Sequence, residues 1–137
     1  MMETLQEART RFLNDMVYFY GTHPHRRNSD RKYKNEHGLK CAIGRYISDE
    51  HKPEELTGSV KNLRRLVNDK LEMEDISTYL PSEIYELGKN FLSEVQVLYD
   101  SDAYWLDNGG LSVAGQVYYN AIISMYCADF LDYEYNF

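Results

Sequence analysis

The chain has 137 residues, with 15 basic and 22 acidic side chains and a formal net charge of −7. This length fits one domain, and we predict a single domain over 1–137 in which 131–137 form a frayed tail. Hydrophobic residues make up 43% of the chain, which excludes wholesale disorder. The sequence holds no apolar run long enough to span a membrane and does not begin like a secretory leader, so we expect a cytoplasmic protein.

Two residue types limit the chemistry. The only cysteines, Cys41 and Cys127, have no paired spacing, which excludes a disulfide framework and a zinc ribbon. The 13 tyrosines combine apolar area with a hydroxyl, a composition typical of half-buried faces and interfaces.

Charge is distributed unevenly. Residues 23–45 hold seven basic and two acidic side chains, whereas 69–137 hold thirteen carboxylates and two lysines. The sequence therefore predicts a molecule with one basic segment and an acidic C-terminal half.

The N-terminal pattern predicts a helix that ends near Gly21. Thr4 and Glu7 have the spacing of a capping box, in which each side chain satisfies a backbone N–H of the first turn. Apolar residues then recur three or four positions apart, at Leu5, Ala8, Phe12, Met16 and Phe19. The polar stretch 23–30, which contains Pro24, is typical of an exposed loop.

A short hairpin is predicted next. Residues 31–34 and 39–42 are its strands, and Asn35 and Gly38 lie in its turn. Such a ribbon is marginal alone, so we expect it to pack on helices.

Further helices are predicted from Ser59, with Val60, Leu63 and Val67 facing the core, and from Pro81. The second is defined by Ile84, Leu87, Phe91, Val95 and Leu98. A last helix from Ser112 follows the break at 108–110, and its predicted inward residues are Val117, Ala121, Ile122 and Met125. The predicted fold is mainly α, a compact bundle of about four longer helices with a small β-hairpin.

The central part of the chain resembles a group of small proteins encoded by phages and prophages. The resemblance rests on the motif at 38–44, Gly-Leu-Lys-Cys-Ala-Ile-Gly, together with 33–34, 47–50 and 58–60. Residues 92–100 and Trp105 are similar to a later motif of the group. The resemblance implies an origin in a mobile element and does not imply a reaction.

Two positions depart from the pattern of that group. Arg31 replaces its first cysteine and Tyr99 replaces a histidine. If those positions form a metal or redox site in the group, half of that site is missing here.

Cys41 and His37 are the residue types of a nucleophile and its base. On one extended segment their Cα atoms lie about 13 Å apart, too far for a hydrogen bond, and no third residue orients them. We therefore predict a buried core thiol. The four histidines match no closed metal site, so the sequence predicts neither a metal nor a cofactor.

The basic segment offers a phosphate-binding patch, to which a tyrosine adds a surface for base stacking. Its candidate ligand-binding residues are Arg26, Arg27, Arg31, Lys32, Tyr33, Lys34, Arg64 and Arg65. Duplex nucleic acid does not fit, because the acidic half repels it. The alternative is that these cations pair with the acidic half, within one chain or between subunits.

The acidic half offers a partner-binding surface that imitates the phosphates of a nucleic acid. Its candidate residues are Glu83, Glu86, Glu94, Asp100, Asp102, Trp105 and Asp107. The alternative is that such a face only aids solubility. Gln96 and Asp100, four residues apart on one helix face, are also placed to form a polar network near Asp102 and Trp105. The alternative is that they serve in capping and in satisfying polar groups of the core.

Two binding functions follow. The first hypothesis is a non-enzymatic phage or prophage accessory protein in the bacterial cytoplasm. It binds a host protein through its acidic, tyrosine-rich surface, for instance as an inhibitor of host defence. The second is a module that holds a nucleotide or another small phosphorylated ligand in a basic pocket. An enzyme ranks third, and homo-oligomer formation stays open.

Overall fold

The computed structural model describes residues 3–28 and 32–127, and this part of the chain is mainly α, as predicted. Its α-helices are α1 (Leu5–Thr22), α2 (Ser82–Tyr85), α3 (Lys89–Asp100) and α4 (Val113–Ile122). An antiparallel sheet contains β1 (Leu56–Thr57), β2 (Arg64–Val67) and β3 (Lys70–Met73), in that order. None of the described helices is long and apolar enough to cross a membrane. Arg31 and the predicted tail 131–137 lie outside the described residues.

Helix α1 forms as its capping box predicts. The Thr4 hydroxyl accepts from the Glu7 N–H at 3.1 Å, and the Glu7 carboxylate accepts from the Thr4 N–H at 3.4 Å. The fully buried side chains of the helix are Phe12, Leu13, Met16 and Tyr20, whereas Leu5 is exposed. This buried face packs against α3 through Phe12 and Phe91, whose ring centres are 6.1 Å apart.

The prediction of one continuous helix from Pro81 is wrong, because the structure has two helices there. The chain breaks at Gly88, which takes a φ of 104° that residues with a side chain rarely adopt, so α2 and α3 are separate. The Arg9 Nε donates to the Leu87 carbonyl at 2.7 Å, which satisfies an acceptor beside the break. The predicted core positions of α3 are confirmed, because Phe91, Val95 and Leu98 are fully buried.

The helix predicted from Ser59 is wrong. Ser59 caps only a single 3-10 turn, Val60–Asn62, and the chain then extends into β2. Asn68 and Asp69 both take positive φ, the conformation of a two-residue hairpin turn, so the chain reverses into β3. Leu66 lies opposite Leu71 and Arg65 lies opposite Glu72.

The hairpin predicted over 31–42 is reduced to one bridge, between Lys34 and Lys40. Its turn is held by buried Asn35, whose side-chain oxygen accepts from the N–H groups of His37 at 3.0 Å and Leu39 at 2.9 Å. The following residues enter the core instead of extending the strand. The N–H of Ile43 donates to the Gln96 side chain of α3 at 3.2 Å.

Helix α4 begins where predicted, with Ser112 as its cap, but the predicted inward face is wrong except for Ile122. Val117 and Met125 are 65% and 69% exposed. The packing face contains Gly115, because a Cβ on that residue would lie 2.1 Å from the Tyr104 carbonyl oxygen. This close approach turns Ile122 toward the core and leaves the valine face in solvent.

Candidate anion-binding site

A small basic cavity lies between the end of α1 and the turn of 35–38. Its volume is about 210 Å³, and we call it the Arg45 pocket. It is lined by Phe19, Tyr20, Arg26, Gly38, Leu39, Lys40 and Arg45. Three of these residues carry a positive charge and none carries a negative one. The pocket therefore concentrates positive charge in a protein whose net charge is negative.

Arg45 is held by aromatic rings. Its guanidinium carbon lies 4.0 Å from the centre of the Phe19 ring, and 5.7 Å and 5.8 Å from the centres of the Tyr20 and Tyr46 rings. Its Nη1 is buried and has no hydrogen-bond partner within the part of the chain that the structure describes. Cation–π contacts fix the plane of the guanidinium but do not neutralise its charge, so Arg45 keeps the capacity to bind an anion.

Lys40 adds a second positive charge to the pocket, and a nearby carboxylate partly neutralises it. Its Nζ lies 3.0 Å from Asp49 Oδ1 and 3.2 Å from the Ile47 carbonyl oxygen. Lys34 reaches the same Asp49 oxygen at 3.2 Å. Hydrogen bonds from these two lysines lower the pKa of Asp49 below its ordinary value. The Asp49 carboxylate is therefore shared by two ammonium groups. This leaves a net positive charge on the side of the pocket that Lys40 forms.

The walls of the pocket are tied to the core. The Tyr20 hydroxyl donates to the Lys40 carbonyl at 2.7 Å, and burial raises the pKa of this tyrosine. Gly44, next to Arg45, lies so close to Tyr33 that a Cβ would be 2.0 Å from the Tyr33 carbonyl oxygen. These contacts fix the backbone on both sides of the cavity and hence the position of Arg45.

The predicted ligand-binding residues do not form one patch. Of the predicted residues that the structure describes, Arg26 alone lines the pocket; it is exposed and forms no ion pair with the described residues. Lys32 is exposed and Arg64 is partly buried on β2. Tyr33 is fully buried and its hydroxyl donates to the Gly58 carbonyl at 2.9 Å, so its predicted role in base stacking is wrong.

Other predicted cations are used in internal ion pairs. Arg27 donates to Asp102 at 2.5 Å and to the Tyr99 carbonyl at 3.2 Å. Arg65 lies 3.1 Å from Glu55 and 3.5 Å from Glu74. Asp102 and Glu74 belong to the acidic half, so these two pairs match the alternative in which the basic residues pair with that half within one chain. The partners Glu55 and Asp49, the latter bound by Lys34, lie outside it.

The predicted partner-binding residues are also divided. Glu83, Glu86 and Asp107 are exposed. Two others take part in internal contacts, because Glu94 accepts from the Tyr118 hydroxyl at 2.6 Å, and buried Trp105 donates to the Leu98 carbonyl at 2.9 Å.

The remaining members of that set are also engaged. Asp102 binds Arg27, and Asp100 accepts from Gln96 Nε2 at 2.9 Å. The predicted contact between Gln96 and Asp100 is therefore present, and the bond of Gln96 to the backbone of Ile43 satisfies a buried N–H of the core and joins α3 to the segment before the pocket.

Cys41 is a buried core thiol, as predicted. Burial raises its pKa to about 12, and its sulfur accepts from the Gly44 N–H at 3.3 Å. The thiol therefore stays protonated at neutral pH. Within residues 3–28 and 32–127, no group of three or more His, Cys, Asp and Glu side chains is arranged to hold a metal ion.

Arg45, Lys40 and Phe19 were not among the predicted site residues. Arg45 and Lys40 belong to the basic segment, and Arg45 follows directly on the apolar run 41–44. A charged side chain next to a buried run is stable only with a compensating interaction, so the position of Arg45 in the sequence could have marked it as a candidate site residue. Nothing in the sequence places Phe19 beneath it, because the two residues are 26 positions apart.

A second cavity of about 480 Å³ is lined by Thr57, Gly58, Ser59, Val97, Asp100 and Ser101, and none of these described residues is basic. The Arg45 pocket is thus the better candidate for binding an anion. Comparison of the chain with protein-family models, with curated proteins and with solved structures gives no match in any of the three.

Proposed function

We propose that the protein binds a small oxyanion in the Arg45 pocket, most simply the phosphate group of a phosphorylated ligand. The proposal rests on the surroundings of Arg45. Its guanidinium carbon lies 4.0 Å from the centre of the Phe19 ring, and the guanidinium has no carboxylate partner among the described residues. Arginine presents its N–H groups in a planar fork that matches the oxygens of a phosphate.

The energetics favour an anion at this position. A buried N–H without a partner costs about 1–3 kcal/mol, and a hydrogen bond to a charged group contributes about 1.5–3 kcal/mol. An oxyanion in the cavity that Arg45 lines gains a hydrogen bond of this charged kind. Lys40 and Arg26 lie at the same pocket and add to the attraction.

The size of the pocket limits the ligand. Cavities that enclose a drug-sized molecule measure about 300–1,000 Å³, whereas this one measures about 210 Å³. It therefore accepts one anionic group and leaves the rest of the ligand outside. A base has no stacking surface at Tyr33, because that ring is buried.

The acidic character of the whole chain restricts the ligand further. At physiological ionic strength, charges on the surface are screened over about 8 Å, so a small anion experiences mainly the local cations of the pocket. A long polyanion reaches beyond that distance and meets the carboxylates of the C-terminal half. The proposal is thus for a small ligand and not for duplex nucleic acid.

The motif behind the phage resemblance forms part of this pocket. Gly38, Leu39 and Lys40 belong to the motif and line the cavity, and Arg45 follows its last glycine. The phage origin itself stays a prediction. So does the binding of a host protein through the acidic surface, and the internal contacts of Glu94, Asp102 and Trp105 do not add to it.

The test is a titration with inorganic phosphate, followed by NMR of the Arg45 side-chain N–H and the backbone of 38–40. Sodium chloride at equal ionic strength is the control for unspecific screening. We expect saturable shifts at these positions with phosphate only. Arg45→Met, which keeps the length of the side chain but removes its charge, should weaken binding about tenfold or more.

Arg64→Met is the matched control, because it removes the same charge from a partly buried arginine outside the pocket. It should change the affinity less than about twofold. Equal losses in the two variants, or no saturable shift at Arg45, would contradict the proposal.

A further inference from the structure

The β2–β3 hairpin presents apolar side chains to solvent on one face. Leu66 is 49% exposed, Leu71 54% and Met73 70%. All four residues of β3 are exposed, and β3 is the last strand in the order β1-β2-β3 within the described residues. An edge strand of this kind is open to pairing with another strand.

The free edge of β3 has a defined hydrogen-bonding pattern. The Glu74 N–H donates to the Leu63 carbonyl at 2.9 Å, so these residues form a hydrogen-bonded pair of the antiparallel ladder. Such pairs alternate along the strands, which directs the backbone groups of Glu72 and Lys70 toward β2. The N–H and C=O groups of Leu71 and Met73 consequently point away from the sheet.

We propose that two copies of the chain associate by antiparallel pairing of their β3 strands, with the two-fold axis at Leu71. In this register Leu71 lies opposite Leu71 of the second copy, and Lys70 lies opposite Glu72 of the second copy. The outward N–H and C=O groups of Leu71 then bond to the same groups of the other chain. The two sheets join into one sheet of six strands.

Charge complementarity favours a second copy as the occupant of this edge. The two-fold axis creates two Lys70–Glu72 pairs, and opposite charges across strands are stabilising. A register shifted to place the axis at Glu72 sets two like charges directly opposite each other, which is unfavourable. The sequence of β3 is thus complementary to itself in one register.

The same register also brings leucine side chains of the two copies together on the apolar face of the joined sheet. Leu66 lies opposite Leu71 within each chain, so the row Leu66, Leu71, Leu71, Leu66 runs across the four central strands of the joined sheet. On the opposite face, Arg65 lies opposite Glu72, which in turn faces Lys70 of the second copy. One face of the joint is therefore apolar and the other alternates in charge.

Sedimentation velocity over a range of protein concentrations tests the proposal. We expect the wild-type mass to rise from 16.2 kDa toward twice that value as the concentration increases. Lys70→Glu and Glu72→Lys each set like charges opposite one another and should weaken the dimer about tenfold or more. The double variant Lys70→Glu/Glu72→Lys restores both pairs between the chains and should dimerise more tightly than either single variant, although position 72 then places a positive charge opposite Arg65 within each chain.

A mixture of the two single variants provides a sharper test. One chain then carries two acidic residues on β3 and the other two basic residues, so the mixture should form a heterodimer more tightly than either variant forms a homodimer. Lys61→Glu, an exposed charge reversal outside β3, is the control and should leave the dimer unchanged. Thermal melts establish that every variant is folded.

Hydrogen exchange supplies an internal control within one strand. The Leu71 N–H should become protected as the protein concentration rises, whereas the Glu72 N–H, already bonded to β2, should not change. A wild-type mass that stays at 16.2 kDa at every concentration overturns the proposal. So does a double variant that remains as weak as the single variants.

Discussion

Arg45 lies over Phe19 with 4.0 Å between the guanidinium carbon and the centre of the ring. The two residues come from different parts of the chain, α1 and the turn that follows the buried run 41–44. Because the ring carries no net charge, the contact positions the guanidinium without neutralising it. This relationship distinguishes Arg45 from Arg27 and Arg65, which are paired with carboxylates.

Phe19→Leu should weaken phosphate binding about threefold to tenfold, because Arg45 loses the surface that fixes its plane. Isothermal titration with inorganic phosphate measures this change. Tyr18→Leu is the control, since Tyr18 is an exposed aromatic residue beside Phe19 that does not line the pocket. Equal losses in the two variants would contradict a positioning role for the Phe19 ring.

Gly44→Ala should lower the free energy of unfolding by about 1–3 kcal/mol or more, because the new methyl group meets the Tyr33 carbonyl. Urea denaturation measures the difference. Gly21→Ala is the matched control: its Cβ would lie 3.5 Å from the nearest atom, in ordinary contact, and alanine favours the helix. A Gly44→Ala variant as stable as Gly21→Ala would show that the backbone of Tyr33 yields without cost.

Gln96→Leu should destabilise the fold by about 1–3 kcal/mol, since the buried N–H of Ile43 loses its acceptor. Thermal and urea unfolding provide the measurement. Gln116→Leu, at an exposed position of α4 where the side chain donates to Asn120 at 3.0 Å, should change stability by less than about 0.5 kcal/mol. If both variants behave alike, the bond to Ile43 contributes nothing.

Stability should decrease in alkaline solution, and ionisation of Cys41 should contribute to the first part of this decrease, together with Cys127, whose pKa burial also raises. Its thiol ionises near its ordinary pKa in the unfolded chain but only near pH 12 in the fold, so the folded state holds more protons between these values. The contribution of this thiol to the free energy of unfolding is therefore constant below about pH 8.5 and falls above it, by up to about 1.4 kcal/mol per pH unit. Cys41→Ala should flatten this slope between pH 9 and 10, and an unchanged slope would refute the assignment.

The parts of the fold that depend on local signals can be predicted from the sequence. Thr4 and Glu7 define the start of α1, and the spacing of Phe91, Val95 and Leu98 defines the buried face of α3. Both features follow from contacts within about four residues. The positive φ of Gly88 is not marked by any break in the apolar spacing, so two helices were predicted as one.

The sheet and the pocket depend on contacts over longer distances. The positions of Val60 and Leu63 satisfy a helical period, yet both are also buried by a 3-10 turn that leads into β2. The net charge of 23–45 correctly directs attention to the segment that lines the pocket. It does not reveal that Arg27 and Lys34 are paired internally while Arg45 is not.

Arg9 connects parts of the chain that are synthesised at very different times. Its Nε donates to the Leu87 carbonyl, 78 residues away, and its Nη1 donates to the Tyr126 carbonyl, 117 residues away, at 3.2 Å. Helix α1 leaves the ribosome long before either acceptor exists. Arg9 therefore has neither acceptor until residues 87 and 126 have been synthesised, so these two contacts of α1 form late in folding.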